Sequence, residues 1–316
     1  MLKDLNHMNK ILITGGAGCL GSNLVDHLIP LGFKVCVIDN YSTGNKESLP
    51  ASNENFKIVE GTVYDESLVD STFKSFKPEC VIHSAASYKD PNNWIEDTNT
   101  NVIGSINIAK SSKENNVKKI INFQTALCYG SPKVLPIPIN HKLNPITSYG
   151  ITKTAGESFL MNSGLPVVSL RLANICAPRL SIGPIPTFFK RINEGKECFC
   201  TKAKRDFLDI KDFLDLMDIL INLPYRNGIF NVSTGKSHSI KDIYNEVATF
   251  LGKSIKDIPE QDPEPDDIKE VVLDPKETIK EFNWNPKIDF KNIIKNQLEW
   301  YVKYGVTNIY SHLNNK

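Results

Sequence analysis

The chain has 316 residues, enough for one large domain or two closely joined ones. Hydrophobic residues make up 41% and charged residues 23%, the balance of a protein with a buried core, and a net charge of +1 leaves no broad basic field to recruit nucleic acid. No apolar stretch reaches the roughly 18 residues of a membrane span, and Met1 to Lys10 carry no apolar leader, so a cytoplasmic protein outside the membrane is expected.

The 7 cysteines are odd in number and scattered through apolar runs (Cys36, Cys80, Cys128, Cys176), which suits buried thiols better than a disulfide framework. Cys198-Phe199-Cys200 lacks a second pair nearby, so no metal site is expected.

In chain order, the short apolar run Ile11-Leu12-Ile13 breaks into Gly15-Gly16-Ala17-Gly18-Cys19-Leu20-Gly21. A helical pattern follows (Leu20, Leu24, Val25, Leu28, Ile29) and stops near Pro30 and Gly32. Val35-Cys36-Val37-Ile38 then ends in Asp39. Strand, glycine turn, helix, strand and acid make a βαβ unit. Strand-like runs recur at 56–63, 80–83, 119–123 and 167–172, with helical stretches at 101–114 and 147–161. This alternation predicts an α/β fold, a doubly wound Rossmann parallel sheet covered on both faces.

Beyond Asn174 the rhythm changes. Pro178, Pro184 and Pro186 mark an irregular segment before a helix-like stretch at 188–193. The runs at 205–221 and 230–232 are read as returning to the sheet. From Ser239 come a helix, a Pro- and Asp-rich loop at 259–267 and a last helix at 290–304. The expected division is a Rossmann domain over 1–180, rejoined by 205–235, and a small C-terminal α/β substrate-binding lid from 181–204 and 236–316.

A glycine cluster alone also serves ordinary turns. Here Gly15, Gly18 and Gly21 follow a strand and open a helix, which is the context of a dinucleotide fingerprint. Gly15 permits the tight turn, Gly18 lets backbone approach the pyrophosphate, and Gly21 lets the helix close on the sheet. The helix N-terminus offers N–H groups and a partial positive charge to the phosphates. Asp39 would accept the ribose hydroxyls and repel a 2′-phosphate, and no Arg stands in Asn40-Tyr41-Ser42-Thr43-Gly44. The expected cofactor is therefore NAD rather than NADP.

Tyr149 and Lys153 lie one helical turn apart on one face, and Thr125 ends an apolar run that a strand should deliver to a sheet edge. A free phenol ionises near pH 10, so a Tyr base at neutral pH needs about 4 kcal/mol of extra stabilisation for its anion. The Lys153 ammonium and a cationic nicotinamide ring are expected to supply it. Lys153 would also hold the nicotinamide ribose, while Thr125 would hydrogen-bond the substrate oxygen.

On these residues the chain resembles the extended short-chain dehydrogenase/reductases, in their NAD-dependent nucleotide-sugar epimerase/dehydratase branch. The matching segments are GGAGCLG at 15–21, Asp39-Asn40, His83-Ser84-Ala85-Ala86, Asn101-Val102-Ile103-Gly104, Thr125 four before Tyr129-Gly130, and Tyr149 to Lys153. Arg171-Leu172-Ala173-Asn174, Arg205-Asp206-Phe207 and the run from Phe230 to Gly235 extend the likeness to nearly the whole chain. HSAASYKDP, NFQTALCYG, IGPIPTFFKR and QLEWYVKYGV look most like the O-antigen epimerases of the WbmG type, in lipopolysaccharide biosynthesis.

The resemblance implies Tyr149 as base, Lys153 as ribose clamp and Thr125 as the hydroxyl usually filled by Ser. It further implies cofactor contacts from Ala17, Cys19, Leu20, Asn40, Thr43, Gly44, Thr62, Val63, Ser84, Ala85, Ala86 and Asn101. Asn174 and Arg205 would hold the substrate diphosphate, and Ala126 would line the sugar site. Lys89 and Arg179 are candidates to face a C6 carboxylate. A homodimer through two helices per subunit, 101–114 and 147–161, is a further implication.

Three positions depart from the pattern: Thr62 replaces an Asp for the adenine amine, Ala177-Pro178-Arg179 replaces Gly-Pro-Arg, and Glu264 stands in the segment where an Arg for the diphosphate is usual. Dehydratases carry an Asp-Glu pair just before the Tyr-Gly; here Leu127 and Cys128 stand there. C4 epimerisation of a UDP-sugar needs neither acid, and a UDP-hexuronic acid or an N-acetylated derivative is the expected substrate. An NAD(P)-dependent nucleotide-sugar 4-reductase and a catalytically silent NAD-binding sensor are the alternatives.

Overall fold

The computed structural model describes residues 8–88, 90–224, 226–263, 268–307 and 309. Ile11, Leu12 and Ile13 are wholly buried in β1 (Lys10–Thr14), because a parallel strand is covered on both faces. β1 runs through the glycine turn into α1 (Cys19–Leu28) and returns as β2 (Lys34–Asp39), which pairs with it in parallel from Lys34 against Lys10 to Ile38 against Thr14.

β3 (Phe56–Glu60) pairs outside β2, and α2 (Glu66–Phe76) follows it. Asp65 caps α2 by accepting the Leu68 N–H at 3.0 Å, and Lys77 ends it in the left-handed region at φ 54°. β4 (Cys80–His83) then pairs on the far side of β1. α3 (Trp94–Thr98), a π-helical turn (Asn99–Ile103) and α4 (Gly104–Glu114) lead to β5 (Lys119–Thr125). α5 (Ser148–Met161) and β6 (Val167–Leu172) complete the alternation. With β11 (Gly228–Val232) the seven-stranded order is β11-β6-β5-β4-β1-β2-β3, and the pairs from β1 to β6 are parallel. The order reverses between β1 and β4, the switch point at which such sheets bind ligands beyond their carboxyl ends.

The expected α/β doubly wound sheet is what forms. Two compact units divide the chain: one takes the described residues up to Gly130 with Lys142–Leu172 and Leu214–Phe230, the other Ser131–His141, Ala173–Phe213 and those from Asn231 on. In the second, β7 (Asn174–Cys176), α6 (Pro184–Asn193) and β8 (Cys200–Thr201) are followed by β9 (Lys204–Arg205) and β10 (Phe207–Asp209). α7 (Ile210–Asn222) comes next in the chain, then, after β11, β12 (His238–Ser239), α8 (Ile240–Phe250), β13 (Glu260–Gln261), β14 (Glu270–Val271), α9 (Lys276–Phe282) and α10 (Phe290–Tyr304). Ile185, Phe188, Ile243, Tyr244, Ile294, Leu298 and Tyr301 make its core, and Ser239 with Asp242 forms a capping box on α8.

Two segment readings change. The helix expected from 188 begins at Pro184, since a proline in the first turn loses no hydrogen bond and brings its φ ready-set. Of the runs read as returning to the sheet, only Gly228–Val232 does so. β9 pairs with β12 and β14, and β10 pairs with β7. Residues 210–222 are helical because buried Phe213, Leu216, Met217, Leu220 and Ile221 recur at helical spacing. Among the described residues no helix is long and apolar enough to cross a membrane, and no His, Cys, Asp and Glu group could hold a metal ion.

Candidate active site

The turn after β1 is built for close approach. Gly15 sits at φ +68°, its N–H donates to Ile38 O at 2.8 Å, and a Cβ there would come within 2.8 Å of Ala85 backbone. At Gly18 a Cβ would meet only Gly15 O, at 3.3 Å, which leaves an open face before α1. No side chain caps that helix start, so its partial positive end is open to an anion.

Asp39 closes the other side. Its Oδ2 accepts the Ala17 N–H at 2.8 Å and its Oδ1 the Tyr41 N–H at 2.7 Å. Burial pushes the carboxyl up while the two N–H groups pull it down, and each oxygen keeps a lone pair for a hydroxyl. An uncapped helix start, an open glycine face and a held carboxylate fit an adenine dinucleotide. Exposed Asn40 and Thr43 lie in the loop after β2, where Gly44 packs on Ala17 backbone. Thr62 and Val63 follow β3, and the Val63 carbonyl accepts from Asn107 Nδ2 at 3.1 Å. Ser84, Ala85 and Ala86 follow β4, where the Ser84 and Ala85 N–H groups donate to Thr14 O and Oγ1, both at 3.2 Å.

His83 works beneath this edge. The Ser105 hydroxyl donates to Asn101 O at 2.7 Å, so at 3.1 Å it must accept from His83 Nε2–H. Nδ1 then accepts the Thr14 hydroxyl at 2.8 Å. Burial, with Lys153 adding to it, pushes the imidazole down to about 3, so His83 is a neutral strut rather than an acid.

β5 delivers Thr125 and α5 delivers Tyr149 and Lys153 within one unit. Thr125 caps a short 3-10 turn (Ala126–Tyr129) by accepting the Leu127 N–H at 3.2 Å, which leaves its O–H to bond the Tyr149 phenol. Ala126 opens that turn and is buried. Gln124 ties the two elements: its Nε2 donates to Lys153 O at 2.9 Å and its Oε1 accepts the Thr125 N–H at 2.7 Å.

The electrostatics differ from the sequence expectation in one respect. In the protein alone the Tyr149 phenol is pushed up, first by burial and then by Tyr88, with the Thr125 hydrogen bond pulling the other way. Lys153 is itself pushed down to about 8 by burial, against the pull of Glu157 one turn on. Burial is therefore the largest effect on the phenol in the protein alone. Glu157 is held by Arg171 Nη2 at 2.7 Å and by the Ser169 hydroxyl at 2.6 Å, and Arg171 Nη1 reaches Tyr129 at 3.0 Å.

Asn101 spends its amide inside the protein. Its Oδ1 accepts the Ser87 N–H, and its Nδ2 donates to Ser87 O and Thr152 Oγ1, each at 3.0 Å. The remaining candidates stand in the second unit. Asn174 is exposed, and both its N–H and its Nδ2 donate to Asp206 O at 3.1 Å. Half-buried Arg205 donates to Lys204 O at 2.8 Å, and Arg179 holds a left-handed backbone at φ 68°. Lys89 and Glu264 lie outside the described residues.

Sequence reasoning missed Gln124, Asp97, Ser87 and Ser148. A signal existed for Gln124: with Asn122 it forms a polar i, i+2 pair in an otherwise apolar buried strand, which demands partners on one face. The others lie in irregular or polar stretches and carry no periodic mark.

Residues 11–233 match the NAD dependent epimerase/dehydratase family, and the chain belongs to it. NAD is its cofactor. The Bordetella bronchiseptica enzyme WbmG is 54% identical, over 99% of this chain and 100% of its own, with TM-scores of 0.93 in complex with NAD and 0.92 with NAD and UDP. The Thermotoga maritima UDP-glucose 4-epimerase, solved with UDP-glucose, is 29% identical over 93% of this chain and 99% of its own, at a TM-score of 0.85. A UDP-glucose 4-epimerase of Mycolicibacterium smegmatis is 28% identical over 316 residues, 92% of this chain and 98% of that protein.

Proposed function

We propose that the chain inverts C4 of a UDP-sugar, a UDP-hexuronic acid or its N-acetylated derivative, with Tyr149 as the base. The observation that carries the reading is a phenol hydrogen-bonded by Thr125 on the helix that also bears Lys153, with Leu127 and Cys128 where water-eliminating relatives need two acids. Bound NAD supplies reversible uptake and return of hydride at C4. Tyr149 takes the C4 hydroxyl proton as the 4-keto sugar forms. It returns the proton to the C4 oxygen once that sugar has rotated to present its opposite face, which inverts C4. Thr125 holds the reacting oxygen against the phenol, and Lys153 stabilises the phenolate once a second positive charge is bound. The cofactor is held by Gly15, Gly18, Asp39 and the start of α1.

Asn174 and Arg205 hold the substrate diphosphate, and Arg179 faces a C6 carboxylate. The protein works in the cytoplasm on precursors of lipopolysaccharide, as a homodimer through the helices around 101–114 and 147–161. Solvent-exposed Ile103, Ile151 and Phe159 on those helices support the pairing.

The test is to incubate the purified chain with UDP-hexuronates and UDP-N-acetylhexosaminuronates and follow the C4 configuration by proton NMR. Interconversion without net cofactor turnover is expected, and Tyr149→Phe should lower it by ~10³-fold or more while NAD stays bound. Net consumption of NADPH, or NAD-loaded protein with no turnover, would overturn the reading in favour of a reductase or a sensor.

A further inference from the structure

A carboxylate outside the dinucleotide and hydroxyl–phenol–ammonium groups lies buried beside Tyr149. Asp97, on α3, is 1% exposed. Its Oδ1 accepts the Ser87 hydroxyl and its Oδ2 the Ser148 hydroxyl, each at 2.7 Å. Ser87 immediately precedes Tyr88, and Ser148 immediately precedes Tyr149. The two tyrosine rings meet edge-on, with centroids 5.9 Å apart and planes at 60°. One turn beyond Asp97, Asn101 repeats the bridge from Ser87 backbone to Thr152 on α5.

We propose that Asp97 is a positioning residue for the C4 chemistry: its carboxylate couples the segment carrying Tyr88 to the helix start carrying Tyr149 and so sets how the two rings meet. This rests on the reading of Tyr149 as base.

Packing alone does not call for a carboxylate here. An asparagine would satisfy both serines, accepting from one hydroxyl and donating to the other, without the cost of a buried charge. Among the described residues no cation pairs with Asp97. The charge acts instead on the phenol. Facing Tyr149 are Tyr88, the Thr125 hydroxyl, Cys128, Asp97 and, from its own helix, Lys153. Burial pushes the Cys128 thiol up to about 12, so it is neutral at physiological pH. The Asp97 carboxylate faces the phenol and, after burial and Tyr88, disfavours the phenolate. Asp97 thus adds to burial and Tyr88 in holding the proton on Tyr149 in the empty protein.

Asp97→Asn removes the charge and keeps both hydrogen bonds; Ser87→Ala cuts one arm of the bridge and keeps the charge. Tyrosinate absorbance of the ligand-free protein, each variant subtracted against its own Tyr149→Phe counterpart, isolates the phenol. Asp97→Asn should lower its titration midpoint by ~0.5 pH unit or more and carry the acid limb of kcat/KM the same way. Ser87→Ala should lower kcat by ~10-fold with NAD content unchanged, because the segment before Tyr88 then keeps only its backbone bonds to Asn101. An unmoved midpoint and limb in Asp97→Asn, together with normal kcat in Ser87→Ala, would overturn the proposal. Failure of the underlying reading looks different: Tyr149→Phe stays active, or the wild type does not invert C4, while the ligand-free titration still reports on Asp97.

Discussion

Burial holds the Lys153 ammonium at about 8 against an ordinary 10.5, so the charge that a reactive phenol needs is a burden on the fold. Between those two values the unfolded chain binds more protons than the native one, so stability rises as pH climbs from 8 to 10.5. Below 8 the penalty is present in full. Lys153→Met should therefore stabilise the ligand-free protein at pH 7 by about 1–3 kcal/mol while abolishing turnover. The substitution leaves no orphaned carboxylate, because Glu157 keeps its Arg171 and Ser169 partners. Thermal melts of the NAD-free forms decide it, and a lower Tm in the variant would count against a buried charged Lys153. At this scale the meeting of Thr125 with Tyr149 and the seating of Asp39 against the glycine turn were legible, because order and spacing bring those residues together. The sign of the Tyr149 effect was not legible, because burial is a property of packing.

The π-helical turn Asn99–Ile103 is where the element-level reading fell short. A helix was expected from 101, yet the helical path begins at Trp94 and widens for one turn. Such a widening adds a residue and so breaks the 3.6-residue spacing that marks a helix, and Asn99, Thr100 and Asn101 look like a polar start rather than a helix interior. Its Asn101 carbonyl faces Gly156 of α5. At Gly156 an added Cβ would press on Asn101 O and come within 2.7 Å of Ser105 Oγ, so α5 closes on the turn only because that Cβ is missing. Gly156→Ala gains ~1 kcal/mol of helix propensity but forces backbone apart at a cost of ~1–3 kcal/mol. The overpacking should win, since a carbonyl in a hydrogen-bonded turn cannot rotate away as a side chain can. The expected outcome is a lower urea midpoint with an unchanged m-value, and weaker turnover as the Asn101–Thr152 bond opens. A midpoint equal to or above wild type would show that the turn yields.

Over the whole molecule, the order of strands and helices was legible because parallel strands covered on both faces read as unbroken apolar runs. The second unit was less so, its strands being two or three residues long and its prolines standing inside a helix rather than before it. The proposed pairing of subunits belongs to this scale. Ile151 and Phe159 lie two turns apart on one face of α5, with Ala155 between them, and are 52% and 51% exposed; Ile103 is 40% exposed. An apolar stripe with a small residue at its centre lets a second helix pack closely, whereas left in water it is a solubility liability for a chain of net charge +1. Replacing both Ile151 and Phe159 by Glu should leave NAD binding intact, because neither side chain belongs to the glycine turn or the Asp39 edge. The same pair of changes should convert a dimer to a monomer in sedimentation velocity, since burying both new charges costs several kcal/mol per interface. A wild-type protein that sediments as a monomer at tens of micromolar would refute the pairing. A double variant that still dimerises would move the interface off this stripe.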